Sequence, residues 1–138
     1  MIKPRNFYLK INGKEKKVGE LTERGSFVKC VQKSKHFLRE GNAYGIAVDV
    51  LNELLEAGCK KVILYEFEKD EKWVVQFNVF MAKSWEHQFP GYEKQKFLAK
   101  EWWTIYDIGD VVGDDIKIKQ IGKKFEPVIS NANQLKLL

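Results

Sequence analysis

The sequence has few of the features that mark exported or membrane-bound proteins. Of 138 residues only two are cysteines, Cys30 and Cys59, and two thiols in a cytoplasmic chain are more often buried side chains than a disulfide. No apolar run approaches the roughly 20 residues of a membrane-spanning helix. The first six residues, Met-Ile-Lys-Pro-Arg-Asn, lack the apolar stretch of a signal peptide. We therefore expect a cytoplasmic protein with no membrane partner.

Motifs for metal binding and nucleophilic catalysis are also missing. No two of the four residues best suited to hold a metal have the short C-x2-C or H-x3-H spacing that forms half a site. These four residues are Cys30, His36, Cys59 and His87. Ser84 and His87 have no nucleophile-elbow motif around them, and the glycines form no phosphate-binding loop. We therefore expect no cofactor, no metal and no catalytic residue.

A metal-dependent nuclease is the leading enzymatic alternative. Such a core needs an acid followed by a strand that carries Glu-x-Lys, so that the metal and the lysine meet one phosphate. The segment Glu66-Phe67-Glu68-Lys69 lacks that spacing. Glu66 and Glu68 nevertheless share one face of a predicted strand and would be able to pair with Asp49. Acids beside a hairpin tip are more often merely solvated.

Acidic residues are scarce in the first forty positions, and this makes the charge uneven. Residues 1–40 hold 11 Lys and Arg against 4 Asp and Glu, a net charge of +7, whereas residues 41–138 hold 13 against 15, a net charge of −2. A basic region indicates an anionic partner; a lysine-rich solubilising surface is the alternative. Only three of the 24 basic residues are arginines. Because bidentate base readout favours arginine, nucleic-acid contacts would go mainly to phosphates.

A helix followed by a hairpin forms the predicted core. Residues 47–57 carry one apolar stripe, and Gly58 follows where a left-handed residue ends a helix. The stripe consists of Val50, Leu51, Leu54 and Leu55. Residues 61–68 and 72–81 alternate as two strands joined by a charged turn. One face of this hairpin is continuously apolar and is expected to pack on the helix.

Further strands are predicted on both sides of this core. Residues 6–11 and 15–21 flank Asn12-Gly13, the strongest hairpin-turn dipeptide. Alternation also predicts strands at 26–32 and 116–121. Residues 92–103 are aromatic and charged and fit a strand or a single helical turn, and we favour a strand at 94–99. The segments 33–46 and 82–91 are predicted to be loops, and a helix that starts earlier, at Asn42, is the alternative for the first of them. The region 107–115 is predicted to be a turn, and the tail from residue 122 is expected to fray.

These elements predict an α+β fold: a mostly antiparallel sheet of five to seven short strands with one main helix packed on one face. We expect a single domain over residues 1–138. It would comprise a basic β-hairpin lobe (1–40), a helix-hairpin core with an aromatic segment (41–121) and a C-terminal tail (122–138). The sequence leaves the strand order and the oligomeric state open.

Two short segments carry a resemblance. The first is His36-Phe37-Leu38-Arg39 followed by Ala43-Tyr44-Gly45-Ile46, and the second is Tyr92-Glu93-Lys94-Gln95-Lys96-Phe97-Leu98 running to Trp102-Trp103. Together they resemble small proteins of phages, prophages and mobile elements that have no assigned activity. The resemblance implies a mobile-element setting and no mechanism.

Binding of DNA or RNA is the function that the composition favours. Lysines contact phosphates, and exposed rings such as Tyr8 or Trp85 stack on bases. The alternative is that the aromatic residues fill the core and the lysines solvate an edge. The candidate phosphate contacts are Lys10, Lys14, Lys16, Lys17, Lys29, Lys33, Lys35 and Arg39.

A protein partner is the other possibility. Small phage proteins often inhibit a host restriction, CRISPR or transcription complex, and such nucleic-acid-handling targets are basic. An aromatic loop over residues 85–92 would suit a binding hot spot, and the late acids would complement a basic surface. The candidates are Trp85, Phe89, Tyr92, Asp107, Asp110, Asp114 and Asp115.

Overall fold

Nine strands and three helices make up the part of the chain that the computed structural model describes, which is residues 2–31, 43–107 and 114–125. The strands are β1 (Arg5–Ile11), β2 (Lys14–Leu21), β3 (Ser26–Val31), β4 (Ala43–Ala47), β5 (Lys61–Glu66), β6 (Glu71–Gln76), β7 (Trp85–His87), β8 (Gln95–Ala99) and β9 (Thr104–Asp107). The helices are α1 (Val48–Ala57), α2 (Phe77–Lys83) and α3 (Asp115–Lys123), and a short 3-10 turn covers Lys100–Trp102.

The strands form two sheets. The large sheet has the order β1-β2-β3-β5-β6-β9, and the small sheet has the order β4-β8-β7. All neighbouring strands run antiparallel except β3 and β5, which are parallel. The predicted α+β fold with a mostly antiparallel sheet is therefore confirmed, and the large sheet has six strands, within the predicted range.

The large sheet is covered on both faces. Alternating residues of β5 show this directly: Val62 and Leu64 pack in the core that contains α1, α2 and the small sheet, whereas Ile63 and Tyr65 pack against α3. Because successive side chains of a strand point to opposite faces, a continuously apolar strand such as β5 is what a three-layer arrangement needs.

The first hairpin and α1 agree with the prediction. Asn12 and Gly13 have φ values of +53° and +78°, the positive pair that a two-residue hairpin turn requires. Helix α1 ends at Gly58, whose φ of +82° lies in the left-handed region and whose N–H donates to the carbonyl of Leu55. Leu55 itself is 59% exposed, so the buried stripe of α1 is narrower than predicted.

The prediction of one strand over residues 72–81 is wrong beyond Gln76. The chain turns there into α2, and Phe77 and Phe80 are buried while Met81 packs partly against the same core. These three residues have the i, i+3, i+4 spacing of a helix face. The alternation of Phe77 with Val79 imitates a strand because the segment is too short for its period to be decisive.

The prediction of a last strand at residues 116–121 is also wrong, because this segment is α3. Ile118, Ile121 and Gly122 are its buried residues, again at i, i+3 and i+4, and Ile116 is 69% exposed. Gly122 belongs to this helix rather than to a fraying tail. A Cβ atom on it would lie 2.2 Å from the ring carbon Cε2 of Tyr65, so only glycine permits this close approach of helix and sheet.

Two segments predicted as loops contain the outer strands of the small sheet. Residues 43–47 form β4 and residues 85–87 form β7, and both pair with β8. Tyr44 and Ile46 alternate toward the core, but the intervening Gly45 hides the strand pattern. The prediction for residues 33–42 lies outside the described residues, and so do those for residues 108–113 and for 126 onward.

No helix in the described ranges is long and apolar enough to cross a membrane.

Candidate functional site

The small sheet turns one face toward the core and the other outward. Its cross-strand rows place Gly45, Phe97 and Trp85 side by side, and the next row contains Ala47, Gln95 and His87. Side chains directly opposite each other in antiparallel strands share a face. The intervening residues of β4 and β8, Tyr44, Ile46 and Leu98, are buried. The rings of Phe97, Trp85 and His87 therefore share the outer face.

Four rings form one cluster on this outer face, and Phe97 lies at its centre. The ring of Phe97 lies 6.1 Å from that of Trp85, 6.4 Å from that of His87 and 5.9 Å from that of Phe89, measured between centroids. The rings of His87 and Phe89 are 4.4 Å apart and meet edge to face. We call Trp85, His87, Phe89 and Phe97 the aromatic face.

The aromatic face is open to solvent. Trp85 is 50% exposed and Phe89 is 49% exposed; His87 is exposed and Phe97 half-buried. Aromatic side chains in a protein core are buried far more completely than these rings are. A connected group of exposed rings is typical of a binding surface. Gly45 makes the cluster possible, because a Cβ atom there would lie 2.5 Å from Cε2 of Phe97.

The segment that follows β7 holds Phe89 in place. Residues 88–92 form a closed turn in which the amide of Gln88 donates to the carbonyl of Tyr92 over 3.0 Å and the Tyr92 N–H donates to the carbonyl of Phe89 over 3.0 Å. Gly91 takes a positive φ of +80°. Tyr92 is 64% exposed. The three predicted partner-contacting rings, Trp85, Phe89 and Tyr92, are thus all exposed.

A cleft of about 410 Å³ adjoins the aromatic face. One part of its lining comes from the first three strands, and another comes from β4, from Val50 of α1 and from Gln95 of β8. Phe67 and Phe125, which pack partly against the cluster under α3, complete the lining. Gly45 and Gln95 line this cleft and also stand in the two rows of the outer face. The lining residues are Leu9, Ile11, Lys16, Lys17, Val18, Phe27, Lys29, Cys30, Gly45, Ile46, Ala47, Val50, Phe67, Gln95 and Phe125. We call it the lysine cleft.

Three of the eight predicted basic residues meet in the lysine cleft, namely Lys16, Lys17 and Lys29. The charge of Lys17 is already paired, because its ammonium contacts the carboxylate of Glu20. The same ammonium lies 5.3 Å from the ring centre of Phe125. Within the described ranges Lys16 and Lys29 have no carboxylate partner; the Lys29 ammonium lies 5.6 Å from the ring centre of Tyr44.

Lys10 and Lys14, the other predicted basic residues that the structure describes, do not line the cleft. Lys10 is opposite Glu15 in the first hairpin, and Lys14 is opposite Ile11 at its tip. Lys10 therefore points away from the face that carries Lys14 and Lys16, because adjacent residues alternate. Lys33, Lys35 and Arg39 lie outside the described residues. The stacking candidate Tyr8 is 49% exposed but shares the face of Lys10.

The predicted acidic surface is wrong for Asp114. This residue is 2% exposed; Ser26 donates its hydroxyl to Oδ2 over 2.6 Å, and Thr22 donates its hydroxyl to Oδ1 over 3.5 Å. Asp115 is half-buried in the first turn of α3. Asp107 ends β9, and Asp110 lies outside the described residues.

Glu66, Cys30 and Cys59 are three of the groups considered for metal chemistry, and the structure describes their surroundings. Glu66 is 1% exposed, and its carboxylate accepts the backbone N–H of Glu68 over 3.1 Å and of Lys69 over 2.7 Å, so it stabilises the turn after β5. Burial is the main cause that raises the pKa of Cys30 to about 12 and that of Cys59 to about 11. No group of three or more potential metal ligands occurs among the residues described.

Sequence reasoning missed Phe97, Gly45 and Gln95, and it considered His87 only as a metal ligand or base. The signal for Phe97 was available, since residues 94–99 were predicted as a strand and Phe97 alternates with the buried Leu98. The neighbours of Phe97 across the sheet were not available, because β4 and β7 had no recognisable strand pattern.

No protein-family model, no curated protein and no solved structure matches this chain significantly.

Proposed function

We propose that this protein is a non-enzymatic binding module for single-stranded nucleic acid. The observation that carries the proposal is the aromatic face, four clustered rings on the outer side of the small sheet beside a cleft that contains lysines. Unstacked bases lie flat on exposed rings, and this contact tolerates any base because every base has a π-face. A duplex keeps its bases stacked on each other and has no base face to offer.

The charges around the aromatic face support the same proposal. Lys16 and Lys29 of the lysine cleft have no carboxylate partner within the described ranges, so their charges are available to phosphates. The whole chain has a net charge of +5, which favours approach of a polyanion. A strand whose bases lie on Trp85 and Phe97 would pass Gly45 and Gln95 and bring its backbone toward these two ammonium groups.

Fluorescence anisotropy with labelled single-stranded and double-stranded DNA and RNA of one sequence, over a salt series, tests the proposal. We expect single strands to bind more tightly than duplexes, and affinity to fall steeply as salt rises because counterions are released from the phosphates. Absence of binding at low salt would overturn the proposal.

Trp85→Ala tests whether the aromatic face is the contact surface. Loss of one stacked base costs about 1–3 kcal/mol, so the variant should bind single strands at least about fivefold more weakly. Trp102→Ala is the matched control: Trp102 is 43% exposed and, in the described part of the chain, makes no ring contact with the aromatic face. Equal affinities of the two variants would place binding elsewhere.

A protein partner is the second candidate function, and the exposure of Trp85, Phe89 and Tyr92 favours it specifically. Exposed aromatic side chains are common binding hot spots, and the resemblance to phage and mobile-element proteins suggests a host nucleic-acid-handling complex as the target. Trp85→Ala separates the two functions. If it leaves nucleic-acid affinity unchanged and abolishes capture of a purified host complex, the protein partner is supported.

A further inference from the structure

The lysine cleft is suited to one ligand unit rather than to a continuous backbone. Its volume of about 410 Å³ lies within the usual range for small-molecule sites. Phe27 and Val50 in its lining are each 1% exposed, whereas Phe67 and Phe125 are half-buried. Both rings pack partly against the cluster under α3 and keep part of their surface uncovered, and the Lys17 ammonium lies 5.3 Å from the ring centre of Phe125.

The charged side chains that line the lysine cleft, within the described ranges, are cationic. Of the three lysines in its lining, Lys17 already neutralises Glu20. The charges of Lys16 and Lys29 remain, and among the described residues no aspartate or glutamate lines the cleft. An occupant that fits both the rings and the charges is planar and apolar at one end and anionic at the other.

We propose that the lysine cleft holds one nucleotide of the bound strand, its base against Phe67 and Phe125 and its phosphate on Lys16 and Lys29. This inference rests on the proposed function and deepens it. The cleft and the aromatic face share Gly45 and Gln95, so one strand continues from the stacked bases into the cleft. An aliphatic anion such as a fatty acid would match the charges, but the two available rings favour a planar ring.

The test measures two ligand classes on the full chain. Isothermal titration with the four common nucleoside monophosphates, and with ribose 5-phosphate as the base-free probe, reports on the cleft. We expect at least one monophosphate to bind tenfold or more tightly than ribose 5-phosphate. Anisotropy with a labelled single strand, run in parallel, reports on the whole surface.

Four variants assign the residues. Lys16→Gln and Lys29→Gln should each weaken monophosphate binding and lower the salt slope of single-strand binding by about 0.7, the value for one phosphate contact. Lys10→Gln makes the same charge change on the opposite face of the first hairpin and is the matched control. Phe67→Ala should remove the preference over ribose 5-phosphate, with circular dichroism to verify the fold.

The outcomes separate this inference from the proposed function. If single strands bind and Trp85→Ala weakens them, but monophosphates do not bind and the two cleft lysine variants equal Lys10→Gln, this inference is overturned and the proposed function stands. If neither single strands nor monophosphates bind at low salt, both are overturned. Weaker monophosphate binding by Lys29→Gln, but not by Lys10→Gln, supports the inference. The fatty acid dodecanoate is titrated as the aliphatic anion, and the inference is overturned if dodecanoate binds and none of the four monophosphates does.

Discussion

Burial raises the pKa of the Cys30 thiol to about 12 and that of the Cys59 thiol to about 11, from 9.0 in both cases. At Cys30 the carboxylate of Glu20 adds to the effect and the ammonium of Lys17 opposes it. The native chain therefore holds both thiol protons more tightly than the unfolded chain. This contribution to stability is fully present below pH 9 and is lost as the pH rises from 9 toward 12.

Thiol reactivity checks this at the residue scale. Because the thiolate is the reactive form, a rise of two pKa units leaves native Cys59 with about a hundredfold less thiolate than the unfolded chain well below pH 9. We expect iodoacetamide to modify the native protein at pH 8 far more slowly than the protein in urea. The variants Cys30→Ser and Cys59→Ser assign each rate, and a native rate equal to the denatured one would contradict the prediction.

A few contacts hold helix α3 on the face of the large sheet opposite to α1. Its buried Ile118 and Ile121 pack against Val28 and Ile63, and Lys119 pairs with Asp70 over 3.3 Å. That ion pair is about half exposed and adds little. The close approach of Gly122 to the ring of Tyr65 is the contact that a side chain would destroy.

Gly122→Ala tests the docking at the element scale. In an isolated helix this change stabilises by about 1 kcal/mol, but here the added Cβ overlaps the ring of Tyr65, and overpacking typically costs 1–3 kcal/mol. We expect a net loss of stability in urea unfolding. Gln120→Ala, at an exposed position of the same helix, is the control and should change stability little. A stabilised Gly122→Ala would show that α3 is not packed this closely.

At the scale of the whole molecule, a buried hydrogen bond joins residues that are 88 positions apart. Ser26 begins β3, and Asp114 precedes α3. Asp114 stands at the N-cap position of α3, yet its side chain makes no capping hydrogen bond and accepts from Ser26 and Thr22 instead. The start of α3 is thus anchored to the same end of the sheet at which β3 begins.

A double-mutant cycle measures this long-range coupling. Ser26→Ala and Asp114→Ala should each cost about 1–3 kcal/mol in urea unfolding, since each leaves a buried polar group without its partner. The double variant should lose about 0.5–3 kcal/mol less than the two single losses combined. Glu23→Ala, at an exposed position of the same turn, is the control. Additive losses would contradict the coupling.

Local chemistry made part of this fold predictable. Asn12-Gly13 and Gly58 take the positive φ values that their turn and cap require, and strands with long alternating patterns, β1, β3 and β5, lie within a residue or two of their predicted bounds. Of the residues that the sequence nominated for binding, the rings of Trp85, Phe89 and Tyr92 are exposed, and Lys16, Lys17 and Lys29 line the lysine cleft. Whether they bind a partner stays a prediction.

The secondary structure of short amphipathic segments depends instead on the elements that they pack or pair with. Residues 77–83 and 115–123 have apolar positions compatible with either period. As helices, they bury Phe77 and Phe80 in one cluster and Ile118 and Ile121 in the other. Residues 43–47 and 85–87 became strands because β8 offers both of its edges to them. Asp114 is buried, and its carboxylate accepts a hydrogen bond from the hydroxyl of Ser26, 88 positions away in the chain.

The sequence by itself determined the turns, the helix cap, the alternating strands and the uneven charge, because each depends on backbone conformation or composition within a few neighbouring residues. Only the tertiary structure decided which faces meet: the second sheet, the aromatic face around Phe97, the lysine cleft and the division of the lysines between two faces of the first hairpin. These features arise from pairings between residues far apart in the chain, and a single sequence carries no local signal for such pairings.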